Sequence, residues 1–319
     1  MTPSDNLGAR ALITGLGGFT GRYMAERLRA DGYRIHGTVQ GAADLDALDA
    51  AAHDVHTVDL RDPRDVAAAI DAIRPDVVVH LAGIANVAHG AIANTWLVNV
   101  VGTRNLLAAL ARLDRPPRAV LLASSANVYG NATEGVIDET VPPEPANDYA
   151  ASKLAMEFAS RTFSARLPLI FARPFNYTGV GQSADFLLPK IVEHYARRAK
   201  TISLGNTDVS RDFSDVRFVV DAYARLLHAA PRGEIFNVCS GVGRTLGDVL
   251  DTLARVAGYR IDVRSEPRFV RPNEGRTLTG SNAKLRDAIG ELQPVPLEET
   301  LRWMYEDARE RYESLRMTA

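Results

Sequence analysis

Residues 9–32 read ARALIT, then Gly15-Leu16-Gly17-Gly18-Phe19-Thr20-Gly21, then RYMAERLRADG, closing on Gly32. The apolar run predicts a strand and the amphipathic stretch predicts a helix stopped by glycine, with a glycine-rich turn between them. Gly15, Gly18 and Gly21, with Phe19 and Thr20 between the last two, let backbone approach a pyrophosphate whose charge meets the first amides of the helix. A glycine loop alone says little; the strand before it and the helix after it give it weight.

Outward from this unit the pattern repeats. Residues 34–39 form the next predicted strand, followed by HTVD at 56–59 and DVVVHL at 76–81, with a helical RDVAAAIDAIRP segment between the last two. Strand and helix alternate as in a doubly wound parallel sheet, the predicted α/β fold. At the end of the second strand, Thr38-Val39-Gln40-Gly41 lacks the acid that holds an NAD ribose, which leaves room for a 2′-phosphate, with Arg22 as a partner for it. NADP(H) is therefore the expected cofactor and NAD(H) the alternative. Asp59 and Leu60 fall where an adenine would lie, and Ala82-Gly83 at the cofactor edge. His53 and His56 have a ligand-like gap but no cysteine or acid cluster nearby, so no metal site is expected.

Residues 96–113 read as one long amphipathic helix carrying Asn99, and AVLLA at 119–123 as a strand delivering Ser124 and Ser125 to its carboxyl end. After a proline-rich loop, a helix over 148–167 carries Tyr149 and Lys153 four apart, on one face. An ammonium beside a phenol lowers its pKa towards a range useful for proton transfer, and Ser125 can hydrogen-bond the same substrate oxygen. Ten tyrosines and four lysines in 319 residues give only about 0.13 such pairs by chance. Ser125, Tyr149 and Lys153 are the expected catalytic residues, where open α/β sheets bind ligands.

With 46% hydrophobic residues and a net charge of −2, the chain can fill a core and has no general attraction to nucleic acid or membrane. No run of eighteen apolar residues occurs, and the single cysteine, Cys239, fits a reducing compartment. A cytoplasmic location is expected.

Taken in order, Gly15-x-x-Gly18-x-x-Gly21, Asp59-Leu60, His80-Leu81-Ala82-Gly83, Asn99-x-x-Gly102-Thr103, Ser125 with Val128-Tyr129-Gly130, and Tyr149-x-x-x-Lys153 resemble the extended short-chain dehydrogenase/reductases that act on nucleotide sugars. Pro174-Phe175-Asn176, the run 204–216 with Arg211, Phe236-Asn237-Val238-Cys239-Ser240-Gly241 and Arg271-Pro272-Asn273-Glu274 are similar to GDP-mannose 4,6-dehydratases and, more so, to GDP-4-keto-6-deoxy-mannose reductases. The resemblance implies a dinucleotide-binding domain over 1–175, with segments returning at about 213–239, and a substrate domain mainly over 176–319. It also implies a GDP-sugar substrate held by Asn127, Asn176, Lys190, Arg211, Arg271 and Glu274. Arginine forks suit the diphosphate. The family's dehydratases place a Glu where Asn127 stands, so simple reduction is expected: GDP-4-dehydro-6-deoxy-D-mannose to GDP-D-rhamnose, with the 6-deoxy-talose epimer, a 4-epimerase and a 4,6-dehydratase as alternatives. The helices 96–113 and 148–167 resemble those that pair into a four-helix homodimer interface.

Overall fold

The computed structural model describes residues 6–41, 54–85, 92–130, 135–205, 207, 209–266 and 277–318. Arg271 and Glu274, and with them Asn206, Asp208, His53 and Glu134, lie outside the described residues. The amino-terminal half runs β1 (Arg10–Thr14), α1 (Phe19–Ala30), β2 (Arg34–Val39), β3 (Asp54–Thr57), α2 (Pro63–Ile73), β4 (Val77–His80), α3 (Ile92–Trp96) and α4 (Thr103–Arg112). Next come β5 (Ala119–Ala123), β6 (Val136–Ile137), α5 (Asp148–Arg161), β7 (Leu169–Pro174) and β8 (Asn176–Thr178). The rest comprises α6 (Leu187–Ala196), β9 (Thr201–Leu204), β10 (Ser210–Asp215), α7 (Val216–Ala229), β11 (Ile235–Val238), β12 (Gly243–Thr245) and α8 (Leu246–Ala257). It closes with β13 (Asp262–Ser265), β14 (Thr277–Gly280), α9 (Ala283–Ile289) and α10 (Leu297–Thr318).

Seven strands form one parallel sheet in the order β11-β7-β5-β4-β1-β2-β3, the doubly wound architecture the alternating pattern predicts. Its strands read as continuous apolar runs because both faces are covered. One face packs Met24, Leu28, Val219 and Tyr223 of α1 and α7, and the other packs Val66, Ile70, Leu106 and Leu110 of α2 and α4. A second sheet orders β12-β10-β14-β6, with β8 paired to β10. Its neighbours α6, α8 and α10 share a separate apolar cluster that includes Ile191, Val249 and Leu301. Among the described residues no helix is long and apolar enough to cross a membrane.

Two expected helices differ. The predicted helix over 96–113 is three pieces: α3, a π-helical segment Leu97–Gly102, and α4. Apolar periodicity continues through all three, so a one-residue widening of the turn leaves no mark on it. The helix predicted over 148–167 ends at Arg161, and the remainder folds into turns that return Leu167 to the core.

What seats α5 on the sheet is a charged pair in the interior. Glu157 and Arg173 of β7 have side chains only 2% and 3% exposed. The guanidinium donates to the carboxylate twice, at 2.9 and 2.7 Å, Ser124 Oγ donates to Glu157 Oε1 at 2.5 Å, and Arg173 covers the Tyr129 ring at 4.8 Å. Desolvating two ions is repaid only when every charge is met, and removing one partner is costly. Glu157→Gln should therefore lower unfolding free energy by about 3–5 kcal/mol, seen in the urea midpoint, while Glu157→Leu joined to Arg173→Met should lose much less. A wild-type midpoint for Glu157→Gln would show that the pair does not seat the helix.

Candidate active site

The carboxyl ends of β1, β4 and β5 open into one cleft. Gly15 turns out of β1 with φ of 72°, a left-handed conformation, and an added Cβ would stand 3.0 Å from the Ala82 backbone. At Gly21 a Cβ would come within 2.3 Å of Gly15 O. Glycine at both positions is what lets α1 begin directly against the strand ends. The residue before α1, Gly18, offers no side-chain cap, so the first-turn amides stay available to an anion. Phe19 stacks on Tyr177 at 6.1 Å, Thr20 Oγ1 and Tyr177 OH are 2.8 Å apart, and Arg22 donates to Gly181 O at 3.3 Å. These three residues tie α1 to β8 and the loop after it.

Beneath the cleft runs a chain of hydrogen bonds. Ala82 N–H donates to Thr14 Oγ1 at 3.2 Å, Thr14 and His80 Nδ1 are 2.7 Å apart, His80 Nε2 and Thr103 Oγ1 2.8 Å, and Thr103 donates to Asn99 O at 2.7 Å. Each hydroxyl has one proton to give. Because Thr103 spends its proton on Asn99, His80 donates from Nε2 and accepts at Nδ1 from Thr14. Burial pushes this imidazole down to about 3, with the Lys153 charge as the lesser cause. His80 is neutral and works as a fixed donor and acceptor.

Asn99 lies in the π-helical segment and reaches both ways. Its amide accepts from Ile84 N at 2.9 Å and donates to Ile84 O at 3.2 Å and Ser152 Oγ at 3.0 Å, pinning the loop after β4 to α5. Leu81 and Ala82 are partly buried in that loop and Gly83 is exposed. A Cβ on Gly83 would stand 3.0 Å from Asn99 Oδ1 and 3.2 Å from Lys153 Nζ, so asparagine, lysine and loop meet at one point. Further along the edge, Asp59 is held by Arg61 at 2.7 Å and Leu60 is buried.

Ser125, directly after β5, caps a short 3-10 turn by accepting from Asn127 N at 3.2 Å and hydrogen-bonds Tyr149. Tyr149 opens α5, whose start is capped by Asn147 Oδ1 accepting from Ala150 N at 2.9 Å. One turn on, Lys153 is 7% exposed and donates to Ala123 O at 2.8 Å. Here the structure corrects the expected electrostatics. Burial pushes the Tyr149 phenol up to about 12, opposed by Ser125 and reinforced by Tyr177, and Lys153 does not lower it. The lysine is itself pushed down to about 8 by burial, with Glu157 opposing, and its ammonium is spent on a carbonyl.

Of the remaining expected residues, Asn127 lies in the turn after β5 and the others on the second sheet and its helices. Asn127 and Asn176 are exposed, Arg211 is partly buried and donates to Ser210 O at 2.8 Å, and Lys190 donates to Ser203 O at 3.2 Å. Cys239 is buried in an apolar cluster with Phe175 and Tyr129, and its thiol is pushed up by burial. Sequence reasoning missed Glu157 and Arg173; the only signal was that Glu157 follows Lys153 by one helical turn. A concavity of about 530 Å³ lined by Arg10, Asp76 and Arg118 opens beside the first residues of β1 and β5, at the far end of the strands from this cleft.

A family model described as GDP-mannose 4,6 dehydratase matches residues 12–304. The chain is 30% identical to the GDP-6-deoxy-D-talose 4-dehydrogenase of Aggregatibacter actinomycetemcomitans, covering 88% of this chain and 91% of that protein. It is 33% identical to the GDP-6-deoxy-D-mannose reductase of Pseudomonas aeruginosa over 93% and 96% of the two. Among solved structures, a Burkholderia cenocepacia protein provisionally described as an epimerase superposes with a TM-score of 0.90 at 59% identity, covering 96% and 99% of the two chains. RMD from Pseudomonas aeruginosa complexed with NADPH superposes at 0.82 with 32% identity, covering 95% and 98%.

The neutral His80 carries a pH signature. Unfolded, its imidazole titrates near 6.5, and folded at about 3, so the unfolded chain takes up the proton first. Its contribution is whole above about pH 6.5 and is lost as pH falls towards 3, at up to about 1.4 kcal/mol per pH unit. Between pH 6.5 and 5 wild type should lose about 2 kcal/mol that His80→Asn, measured by urea unfolding, does not; parallel curves would remove His80 as the cause.

Proposed function

The chain belongs to the GDP-mannose 4,6-dehydratase family, and from that membership and the geometry of the cleft we propose that it reduces the 4-keto group of a GDP-4-dehydro-6-deoxy-hexose. The substrate we assign is GDP-4-dehydro-6-deoxy-D-mannose and the product GDP-D-rhamnose. The observation that carries the reading is the segment after Ser125. Ala126 is buried and apolar, and the exposed Asn127 stands where the dehydratases of the family carry a Glu. An amide cannot exchange a proton as elimination of the C6 hydroxyl requires. Glu139, the nearby acid, accepts from Asn237 N at 2.7 Å and is held by that bond.

A dinucleotide fits the residues present: Gly15, Gly18 and Gly21 leave backbone open to the diphosphate, Phe19, Thr20 and Arg22 border it, and Asp59, Leu60, Leu81, Ala82, Gly83 and Asn99 line the nucleoside edge. When bound, the nicotinamide supplies the hydride. Thr38 is buried at the end of β2, and none of Thr38, Val39, Gln40 and Gly41 is acidic, which supports NADP(H) over NAD(H). Arg22 is engaged at Gly181, so that preference rests on the end of β2. We divide the chain as 1–175 with returning segments at about 213–239 for the dinucleotide, and mainly 176–319 for the substrate. The buried lone Cys239 supports a cytoplasmic location.

Proton chemistry supports the reducing direction. The substrate's carbonyl oxygen would take the proton of Tyr149 as the carbonyl carbon is reduced, Ser125 would donate to the same oxygen, and Tyr149 would regain its proton from water. A phenol held near 12 is fully protonated at neutral pH, the form a proton donor needs. Lys153 and Asn99 position the loop around Gly83 and hold the edge the nicotinamide ribose would meet. A 4-epimerase reading draws on the likeness to the Burkholderia protein. It requires tightly held NAD and no net oxidation, with Tyr149 acting first as a base.

Offered a panel of 4-keto sugar nucleotides with NADPH and with NADH, the protein should consume NADPH one-to-one with GDP-4-dehydro-6-deoxy-D-mannose, and NADH less well. Given GDP-mannose alone it should form no 4-keto product. Tyr149→Phe should remove most of kcat, roughly 10²-fold or more, and leave NADPH affinity nearly intact. A 4-keto-6-deoxy sugar arising from GDP-mannose, or near-normal kcat in Tyr149→Phe, would overturn the assignment.

We also propose a homodimer through α3 to α5. Trp96, Leu97 and Val101 are 36%, 45% and 41% exposed and Phe158 on α5 64%, an apolar surface on the helices that pair in the family. Light scattering should give twice the chain mass, and Phe158→Glu should halve it; a wild-type monomer would exclude the dimer.

A further inference from the structure

At the end of the parallel sheet away from the cleft, a hollow of about 530 Å³ lies between the residues that open β1, β4 and β5 and the last turns of α2 and α4. Its volume is that of a small-molecule site. Lysine and arginine supply 37 of 319 residues, about one in nine, yet five of the twelve residues lining the hollow are arginines: Arg10, Arg74, Arg112, Arg115 and Arg118. Three carboxylates share the lining, Asp71, Asp76 and Asp114. The carbonyl ends of α2 and α4 add roughly half a negative charge each, so the hollow keeps a positive surplus.

These arginines are of two kinds. Arg10 and Arg118 are fixed: Asp76 accepts from Arg10 N at 2.7 Å and lies 3.7 Å from its Nε, while Arg118 donates to Asn6 Oδ1 at 2.8 Å and to Tyr33 OH, and its guanidinium carbon stands 5.7 Å from the Tyr33 ring centre. Arg112 and Arg115 are exposed and make no hydrogen bond or ion pair among the described residues. Arg74, exposed at the end of α2, donates from Nε to Asp71 O at 3.3 Å. A helix dipole accounts for one basic residue at each helix end, Arg74 and Arg112. Arg115 stands beyond that, in the loop Asp114-Arg115-Pro116-Pro117, where two prolines restrict the backbone that carries it. No aromatic ring lines the hollow among the described residues, so nothing there stacks a nucleobase as an aromatic side chain would.

We propose that this hollow binds a compact phosphorylated metabolite carrying two or more negative charges, with Arg112 and Arg115 closing on it beside the fixed Arg10 and Arg118. A carboxylate offers two oxygens in one plane, which a single guanidinium fork fills. A terminal phosphate offers three, which suits cations arriving from α2, α4 and the strand starts, each by paired hydrogen bonds. A ligand held there bridges those elements and stabilises the folded chain by mass action. The site lies at the opposite end of the strands from Ser125, Tyr149 and Lys153, so it is independent of the nucleotide-sugar reading, and its ligand leaves the dinucleotide cleft free.

The test uses the full chain with pyrophosphate, a hexose 1-phosphate and citrate as probes, by calorimetry and by the shift in Tm, each with and without saturating NADPH. Pyrophosphate or the hexose phosphate should bind one-to-one and raise Tm with NADPH present; pyrophosphate alone assigns a diphosphate, and the hexose phosphate as well assigns a phosphate monoester. Arg115→Met should weaken that binding about tenfold or more and leave the Tm without probe at its wild-type value, because Arg115 is exposed and unpaired. Arg115→Lys, which keeps the charge but not the fork, should recover part of the affinity. Arg309→Met removes one charge from an exposed arginine of α10 paired with Glu313 and should change nothing. Citrate binding as tight as that of either phosphate, loss of all pyrophosphate binding when NADPH is present, equal losses in Arg115→Met and Arg309→Met, or a wild type that binds neither phosphate would overturn the site.

Discussion

The buried pair of Glu157 and Arg173 is the constraint on which the site depends. Both ions are out of water, and each is met: the carboxylate by two guanidinium bonds and the Ser124 hydroxyl, the guanidinium by the Tyr129 ring as well. Such a network specifies one arrangement because any other leaves a charge unmet. Glu157 lies about 6 Å along the helix axis from Lys153 and about 12 Å from Tyr149 at the usual rise per residue, so fixing it fixes both. Ser124 is bonded to the same carboxylate, which sets the next residue, Ser125, against the helix. Tyr129 passes the constraint on, donating to Asn237 Oδ1 at 2.8 Å, and Asn237 donates to Ile137 O at 3.1 Å.

Desolvation sets the proton chemistry of the cleft. It raises Tyr149 to about 12, lowers Lys153 to about 8 and lowers His80 to about 3. In each case the low-dielectric interior disfavours the charged form. A protonated phenol, an ammonium held by the Ala123 carbonyl and a neutral imidazole make a site ready to deliver a proton. That is the poise a carbonyl reduction uses, and the opposite of what a first-step base requires.

The π-helical segment belongs to the same design. A wider turn at Leu97–Gly102 puts Asn99 where it can bond both the loop after β4 and Ser152 on α5, while Gly102 lets the segment approach Leu60, whose Cβ would stand 3.0 Å from any added Cβ. Wider turns in helices are often found at functional sites.

Much was legible in the chain because it is written within a few residues. Strand runs, amphipathic stretches, glycines three apart and a tyrosine four before a lysine are written in local spacing, and they determine the parallel sheet and place the glycine-rich turn, Ser125, Tyr149 and Lys153 at its carboxyl edge. Nothing local says that Lys153 will give its proton bond to Ala123 O, that Glu157 will meet Arg173, or that Arg211 will face Arg244 across a ladder. Nor does periodicity register the π-helical turn or the end of α5 at Arg161. These follow from packing segments far apart in sequence and from the water that packing removes. The order of the elements is thus a property of the sequence, whereas the charge each group carries and the partner it meets are decided by tertiary structure, because desolvation and long-range contact exist only once the chain has folded.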